Sequence, residues 1–192
     1  MVGIGGIIRI LRKEYLNGIL QTFFTIVLGA VVYCWYSFAL IFYPYDFFAN
    51  NLDIPENIKF EKPLEIPYEE NKPTPKVDKQ DLVLYDYSQP GIYKYDVYLN
   101  NIEKGKIYLK VFEVTKNKLL SEKSVKNRTE MFVFNPADTL KRFELKNDFT
   151  IYEGDWGDFY GSRIEVWFKP DQLNKPERKL FTKNYIVQGW MR

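Results

Sequence analysis

The chain has 192 residues, a formal net charge of +2 at pH 7, no histidine and one cysteine, Cys34. The missing histidine excludes imidazole bases, Ser/His/Asp and Cys/His triads and histidine-dependent zinc sites, and a lone cysteine excludes an internal disulfide and a Cys-only metal site. The balanced charge, without a basic cluster, argues against a nucleic-acid partner. We therefore expect no cofactor, no metal and no catalytic residue.

An apolar segment near the N-terminus predicts a membrane-spanning helix. No charged residue stands between Glu14 and Asp46, and the mostly apolar residues 19–43 exceed the roughly 20 residues that a helix needs to cross a bilayer core. A buried core helix rarely needs so long a run, and a cleaved signal peptide usually has an apolar region of only ~7 to 15 residues. We expect an uncleaved signal anchor over 19–45, with the lipid bilayer as the first partner of the chain.

Charges flanking this segment predict its orientation. Arg9, Arg12 and Lys13 precede it and Asp46 follows it, which favours a cytoplasmic segment 1–18 and an extracytoplasmic C-terminal domain, in the periplasm or at the cell surface. Aromatic residues crowd the exit side, as expected where rings settle at headgroup depth. They are Tyr33, Trp35, Tyr36, Phe42, Tyr43, Tyr45, Phe47 and Phe48.

The next segment, 46–80, combines five prolines with many charged residues. Proline fixes φ and removes an amide donor, while charge resists collapse, so this composition predicts an extended, semi-rigid tether. The alternative is that part of it packs on the following domain as irregular edge structure. Apolar residues such as Ile54, Phe60 and Ile66 keep that alternative open, because a solvated linker does not need them.

Residues 81–192 alternate in polarity and predict an all-β domain. We expect seven or eight short strands: 82–86, 92–99, 105–114, 129–134, 140–145, 149–153, 162–168 and 178–190. The turn residues of 100–105 predict a hairpin between the second and third strands. With no convincing amphipathic helix, the pattern favours an immunoglobulin-like or related antiparallel β-sandwich, while a jelly roll or small barrel stays open.

The segment 153–162 carries the candidate binding residues. Its aromatics Trp156, Phe159 and Tyr160 could stack on a sugar or a protein partner, and Asp155 and Asp158 could accept hydroxyl protons. The leading interpretation is nevertheless a plain connection between two strands, because glycines permit tight turns there. A calcium site lacks the EF-hand spacing, and a glycosidase would need an identifiable carboxylate pair.

No motif in the chain is specific enough to indicate a family. We expect a single-pass membrane protein, not an enzyme, whose tethered extracytoplasmic domain binds or scaffolds another envelope or cell-surface component, with a protein of the envelope as the expected partner. The alternative is a surface carbohydrate-binding module that uses the 153–162 loop to hold a glycan.

Overall fold

The computed structural model describes residues 7–8, 15–42, 46–66, 73 and 75–190. It divides the chain into two compact units, Met1–Pro44 and Tyr45–Arg192. The basic residues Arg9, Arg12 and Lys13 and the tether residues 67–72 and 74 lie outside the described residues. The predictions that depend on them therefore stay predictions.

The first unit contains one long helix, α1, from Tyr15 to Phe42. The segment Tyr15–Ala39 is long and apolar enough to cross a membrane, and only 6% of its most apolar stretch is buried within the structure. The hydroxyls of Thr22 and Thr25 donate to the carbonyls of Gly18 and Gln21, one turn earlier, each at 2.8 Å. These polar groups are thus satisfied inside the helix, as a hydrocarbon environment requires.

The second unit is mostly β-structure. Its described strands are β1 (Leu64–Glu65), β2 (Asp81–Tyr87), β3 (Gln89–Leu99), β4 (Ile102–Glu113), β5 (Leu119–Leu120), β6 (Met131–Asn135), β7 (Lys141–Glu144), β8 (Phe149–Thr150), β9 (Tyr160–Pro170) and β10 (Arg178–Val187).

These strands form two five-stranded sheets. The first sheet has the order β1-β2-β3-β7, with β8 also on β3, and the second has the order β10-β9-β4-β5, with β6 also on β4. All pairs are antiparallel except β1 with β2. One core cluster takes buried side chains from both sheets, an arrangement compatible with a β-sandwich.

Alternation predicts the core face of β3 correctly. Tyr93, Tyr95, Val97 and Leu99 are almost completely buried. Asp96, however, is also fully buried on the opposite face, where a charged residue was expected to meet water. It lies beside a second small cluster of Val83, Tyr85 and Tyr98, against which Ile66 and Val77 pack.

The predicted hairpin over 100–105 is wrong. The turn is short, at Asn100 and Asn101, and β3 and β4 on either side of it belong to different sheets. Asn101 takes a positive φ of 47° and its amide donates to the carbonyl of Ala137 at 2.9 Å. Turn chemistry identified the reversal correctly, but it does not specify whether the returning strand pairs with its neighbour or crosses to the other sheet.

The short helix α2, which runs from Glu122 to Thr129 and is mostly polar, was not predicted from the sequence. Only Val125 and Thr129 are buried on this short helix. The Thr129 hydroxyl donates to the Val125 carbonyl at 2.7 Å and accepts the Leu109 amide at 2.9 Å, which fixes α2 to β4. A helix is recognised in a sequence by apolar residues that recur every three or four positions, and α2 has only one apolar residue on its inner face.

Residues 46–66 pack as part of the second unit, which is the alternative that the sequence left open for the tether. Ala49 and Leu52 are buried in the main core, around a 3-10 turn at Ala49–Asn51. Glu61 forms a parallel bridge with Tyr185 of β10, and β1 extends the first sheet beside β2. This segment therefore pairs with an edge of each sheet.

Candidate binding surfaces

The 153–162 loop connects the two sheets. Residues 151–159 leave the first sheet after β8 and enter the second sheet at β9, so the interpretation as a connection between strands is confirmed, but the last residues of the predicted loop, Tyr160–Ser162, already belong to β9. Gly154 and Gly157 adopt positive φ values of 89° and 86°, which allow the chain to reverse twice within a few residues. The Gly157 amide donates to Oε1 of Gln188 at 2.8 Å and ties the tip of the loop to the end of β10.

Asp155 is a structural residue of this loop. It is only 4% exposed, and its Oδ2 accepts the backbone amide of Asp46 at 2.8 Å. In return, Oδ2 of Asp46 accepts the amide of Gly154 at 2.9 Å. Two charge-assisted hydrogen bonds thus join the loop to the start of the second unit.

Tyr160 belongs to the core. Its ring is fully buried and packs edge-on against Phe48 with 5.4 Å between ring centroids. Its hydroxyl donates to the carbonyl of Glu153 at 2.7 Å. Burial raises the pKa of Tyr160 well above its usual range, with further increases from nearby Tyr93 and Glu153. A ring in this position has no face left on which a sugar could stack.

Trp156 and Phe159 are the exposed rings of the loop, at 43% and 54% of their full accessible area. Asp158 is half-buried, and its amide donates to the Asp155 carbonyl at 3.3 Å. Of the five residues singled out in the sequence, Trp156 and Phe159 are therefore the two that the structure leaves exposed.

The base of the loop is fixed by Glu153. Its carboxylate accepts the amide of Ser121 at 2.8 Å and the hydroxyl of Ser121 at 2.6 Å, just before α2 begins. Glu153, like Asp155, is therefore committed to contacts within the protein. Among the described residues, no group of three or more acidic, cysteine or histidine side chains could hold a metal ion.

A second surface, which the sequence reasoning missed, lies at β6. Alternation turns Val133 into the core and leaves Phe132 and Phe134 outside, 68% and 54% exposed. Lys106 lies over the Phe132 ring, with 4.7 Å from its Nζ to the ring centroid, and also pairs with Glu130 at 2.6 Å. The signal was present in the sequence: two large aromatics occupy the polar positions of an alternating strand.

Next to Phe132 a groove of about 420 Å³ opens between β6 and the end of β7. Its apolar lining comes from Met131, Phe132, Phe143 and Leu145. Among the described strands, β6 pairs only with β4 and β7 only with β3, so the groove separates an edge strand of each sheet. It therefore lies where the backbone of β6 has no neighbouring strand.

Comparison of the chain with protein-family models, with curated proteins and with solved structures finds no match.

Proposed function

We propose that this protein is a membrane-anchored, non-catalytic binding component, whose extracytoplasmic β-domain docks a protein of the envelope or cell surface at the edge of β6. The observation that carries the proposal is the pair of exposed rings, Phe132 and Phe134, on an edge strand beside an apolar groove. Natural proteins usually protect such edges with charges, prolines or bulges, because an open apolar edge recruits further strands.

The chemistry of this edge favours an extended, apolar segment of the partner. A segment added alongside β6 would take main-chain hydrogen bonds from the strand, and its alternate side chains would enter the groove beside Phe132 and Phe143. Glu130, Glu144 and Lys146 line the rim of the same groove, so the rim carries charges of both signs around its apolar lining.

We also propose that the β-domain is an immunoglobulin-like sandwich. In that reading β2, β3 and β7 correspond to strands A, B and E, while β10, β9, β4 and β6 correspond to G, F, C and C′. The bond from the Tyr160 hydroxyl back to Glu153 supports it. This bond lies at the start of the F-equivalent strand, where such domains carry a tyrosine corner.

The glycan-binding alternative has weaker support than the docking function. Two of the five residues it would use, Asp155 and Tyr160, are buried and engaged inside the protein. Trp156 and Phe159 then offer only an exposed aromatic surface. Sugar-binding sites combine aromatic rings with polar groups that are positioned to bond the ligand.

The test is affinity capture from native membranes with three forms of the full chain. We expect the wild-type chain and Leu173→Ser to retain the same envelope protein, and Phe132→Ser with Phe134→Ser to lose at least ~10-fold of it, because the edge anchors are removed. Leu173→Ser is the matched control, since it removes a fully exposed apolar side chain elsewhere. Photo-crosslinking from position 134 should then map to an extended apolar segment of that protein.

Two results would overturn the docking function. One is equal capture by all three forms, which would assign the interaction to another surface. The other is capture of a second copy of this chain alone, which would make β6 a self-association edge.

A further inference from the structure

Three exposed aromatic residues, Phe47, Trp156 and Phe159, stand in two segments of the β-domain that are bonded to each other. Phe47 is 67% exposed and directly follows Asp46, whose amide is bonded to Asp155, the neighbour of Trp156. Phe159 directly precedes Tyr160. We call these three residues the aromatic patch.

A second contact holds the same two segments together. The ring of Phe48 packs on the ring of Tyr160, so Phe47 and Phe159 are the chain neighbours of two contacting residues. The aromatic patch is therefore drawn from two distant segments of the chain, and these segments are held together by the hydrogen bonds of Asp46 and Asp155 and by this ring contact.

The chain between the predicted membrane span and this patch is short. The helix α1 ends at Phe42, and Asp46 is four residues further along the chain. Four residues reach at most about 14 Å, even when fully extended. The 28 residues of α1 rise about 42 Å, which matches the ~40–45 Å of a bilayer with its headgroups. When α1 spans, its C-terminal end thus reaches the headgroup layer.

We infer that the aromatic patch binds the lipid headgroup layer of the membrane that α1 crosses, and so fixes the β-domain against the bilayer surface. The amphipathic ring of tryptophan favours this layer. Transfer of the apolar rings of Phe47 and Phe159 out of water lowers their free energy. The inference rests on α1 spanning a bilayer and not on docking at β6.

The charges around the aromatic patch are compatible with a lipid surface. The carboxylates of Asp46 and Asp155 accept backbone amides of the protein, so their hydrogen-bonding capacity is partly used internally. The exposed Lys118 places its Nζ 4.6 Å from the centroid of the Phe48 ring, beside the patch. A lysine in this position can pair with a lipid phosphate.

The experiment uses quenching of tryptophan fluorescence by brominated phosphatidylcholine, with full-length protein in liposomes. Because the chain has four tryptophans, replacing three of them with phenylalanine gives matched variants that each retain one: Trp35, Trp156 or Trp167. We expect quenching of Trp35, which reports insertion of α1, and about twofold quenching of Trp156 at the headgroup layer. Trp167 lies on β9 and should keep its fluorescence.

Quenching of Trp35 without any quenching of Trp156 would overturn the inference.

A second measurement covers variants that fail to fold. In a Cys34→Ala background, Phe159→Cys and Leu173→Cys each receive a spin label, and Leu173 is a fully exposed control. We expect the label at 159 to be accessible to oxygen more than to a water-soluble nickel complex. Equal nickel accessibility at both positions, or protection at 159 by added polysaccharide alone, would refute lipid contact.

Discussion

At the scale of single residues, the least expected feature is the buried charge of Asp96. Its Oδ2 accepts the hydroxyl of Tyr85 at 3.0 Å and the Nε of Arg142 at 2.8 Å, and the second Arg142 nitrogen, Nη2, lies 2.7 Å away. The fork of the guanidinium suits a carboxylate that has left water. Alternation alone predicts Asp96 to be exposed, because the covering residues Ile66 and Val77 come from the segment before β2.

We predict that Arg142→Ala lowers the free energy of unfolding by about 3 kcal/mol, because it leaves the Asp96 carboxylate buried without its cation. Chemical denaturation of the purified protein in detergent measures the change. Glu144→Gln is the matched control: Glu144 contacts the same arginine at 3.9 Å but is exposed, so its loss should cost less than about 1 kcal/mol. Equal effects of the two substitutions would contradict this account of Asp96.

At the scale of elements, the outer face of the second sheet is organised around Glu165 on β9. Its carboxylate accepts hydrogen bonds from Nε1 of Trp167 at 2.8 Å and from Nζ of Lys179 at 3.1 Å. Burial alone would raise the pKa of Glu165. The hydrogen bonds from Trp167 and Lys179, with the charges of Lys179 and Arg163, outweigh burial, so its pKa is below its usual value.

The lowered pKa of Glu165 predicts that part of the free energy of unfolding is lost at acidic pH. A carboxyl group with a lower pKa in the folded state binds fewer protons there, so it stabilises the protein above its ordinary pKa. That stabilisation is lost as the pH falls through the folded-state value. We expect Glu165→Gln to lose less stability than the wild-type protein between pH 6 and pH 3, as measured by denaturation at each pH. Lys179→Gln should flatten the same dependence, and parallel curves for all three proteins would refute the assignment.

The elements also show how far sequence reasoning reaches. The long strands β3, β4 and β9 follow from alternation, because each buries one face in the core. The helix α2 was missed because its inner face has a single apolar residue, Val125.

The sheet assignments were beyond local patterns. Whether β4 pairs with β3 or with β9 depends on residues more than fifty positions apart, such as Leu109 and Val166.

The candidate site was predictable only in part. Composition identified the 153–162 loop and its exposed rings, Trp156 and Phe159. It did not separate them from Tyr160, whose burial depends on contact with Phe48, more than a hundred residues away. The partner of Asp155 was equally hidden, because Asp46 stands in what the sequence predicted as the start of a tether.

At the scale of the whole molecule, the short chain between α1 and the folded β-domain makes the predicted orientation directly testable. The chain has one native cysteine, Cys34, within the predicted span. In a Cys34→Ala background, a single cysteine at position 173, on the connection between β9 and β10, therefore reports the side on which the domain lies.

We predict that Leu173→Cys in this background reacts with a membrane-impermeant maleimide while the membrane that α1 crosses is intact, because the positive charges before α1 favour a cytoplasmic N-terminus. Cells whose outer barrier has been opened provide the sample, and labelling after full lysis gives the reference. The wild-type chain, with Cys34 in the span, should stay unlabelled. Labelling at position 173 only after lysis would show that the β-domain lies on the cytoplasmic side, opposite to the predicted orientation.

The bridge between Glu61 and β10 also sets the order of events during biosynthesis. The Glu61 amide donates to the Asn184 carbonyl at 3.0 Å, and the Glu61 carbonyl accepts the Ile186 amide at 2.9 Å. A ribosome adding ~5–20 residues per second needs about 6 to 25 s to make the intervening stretch. During that interval the backbone of Glu61 lacks its partner on β10, and a chain terminated before β10 never acquires it. Incomplete chains thus leave open both edges that β10 covers in the finished domain, that of β9 and that of the segment around Glu61.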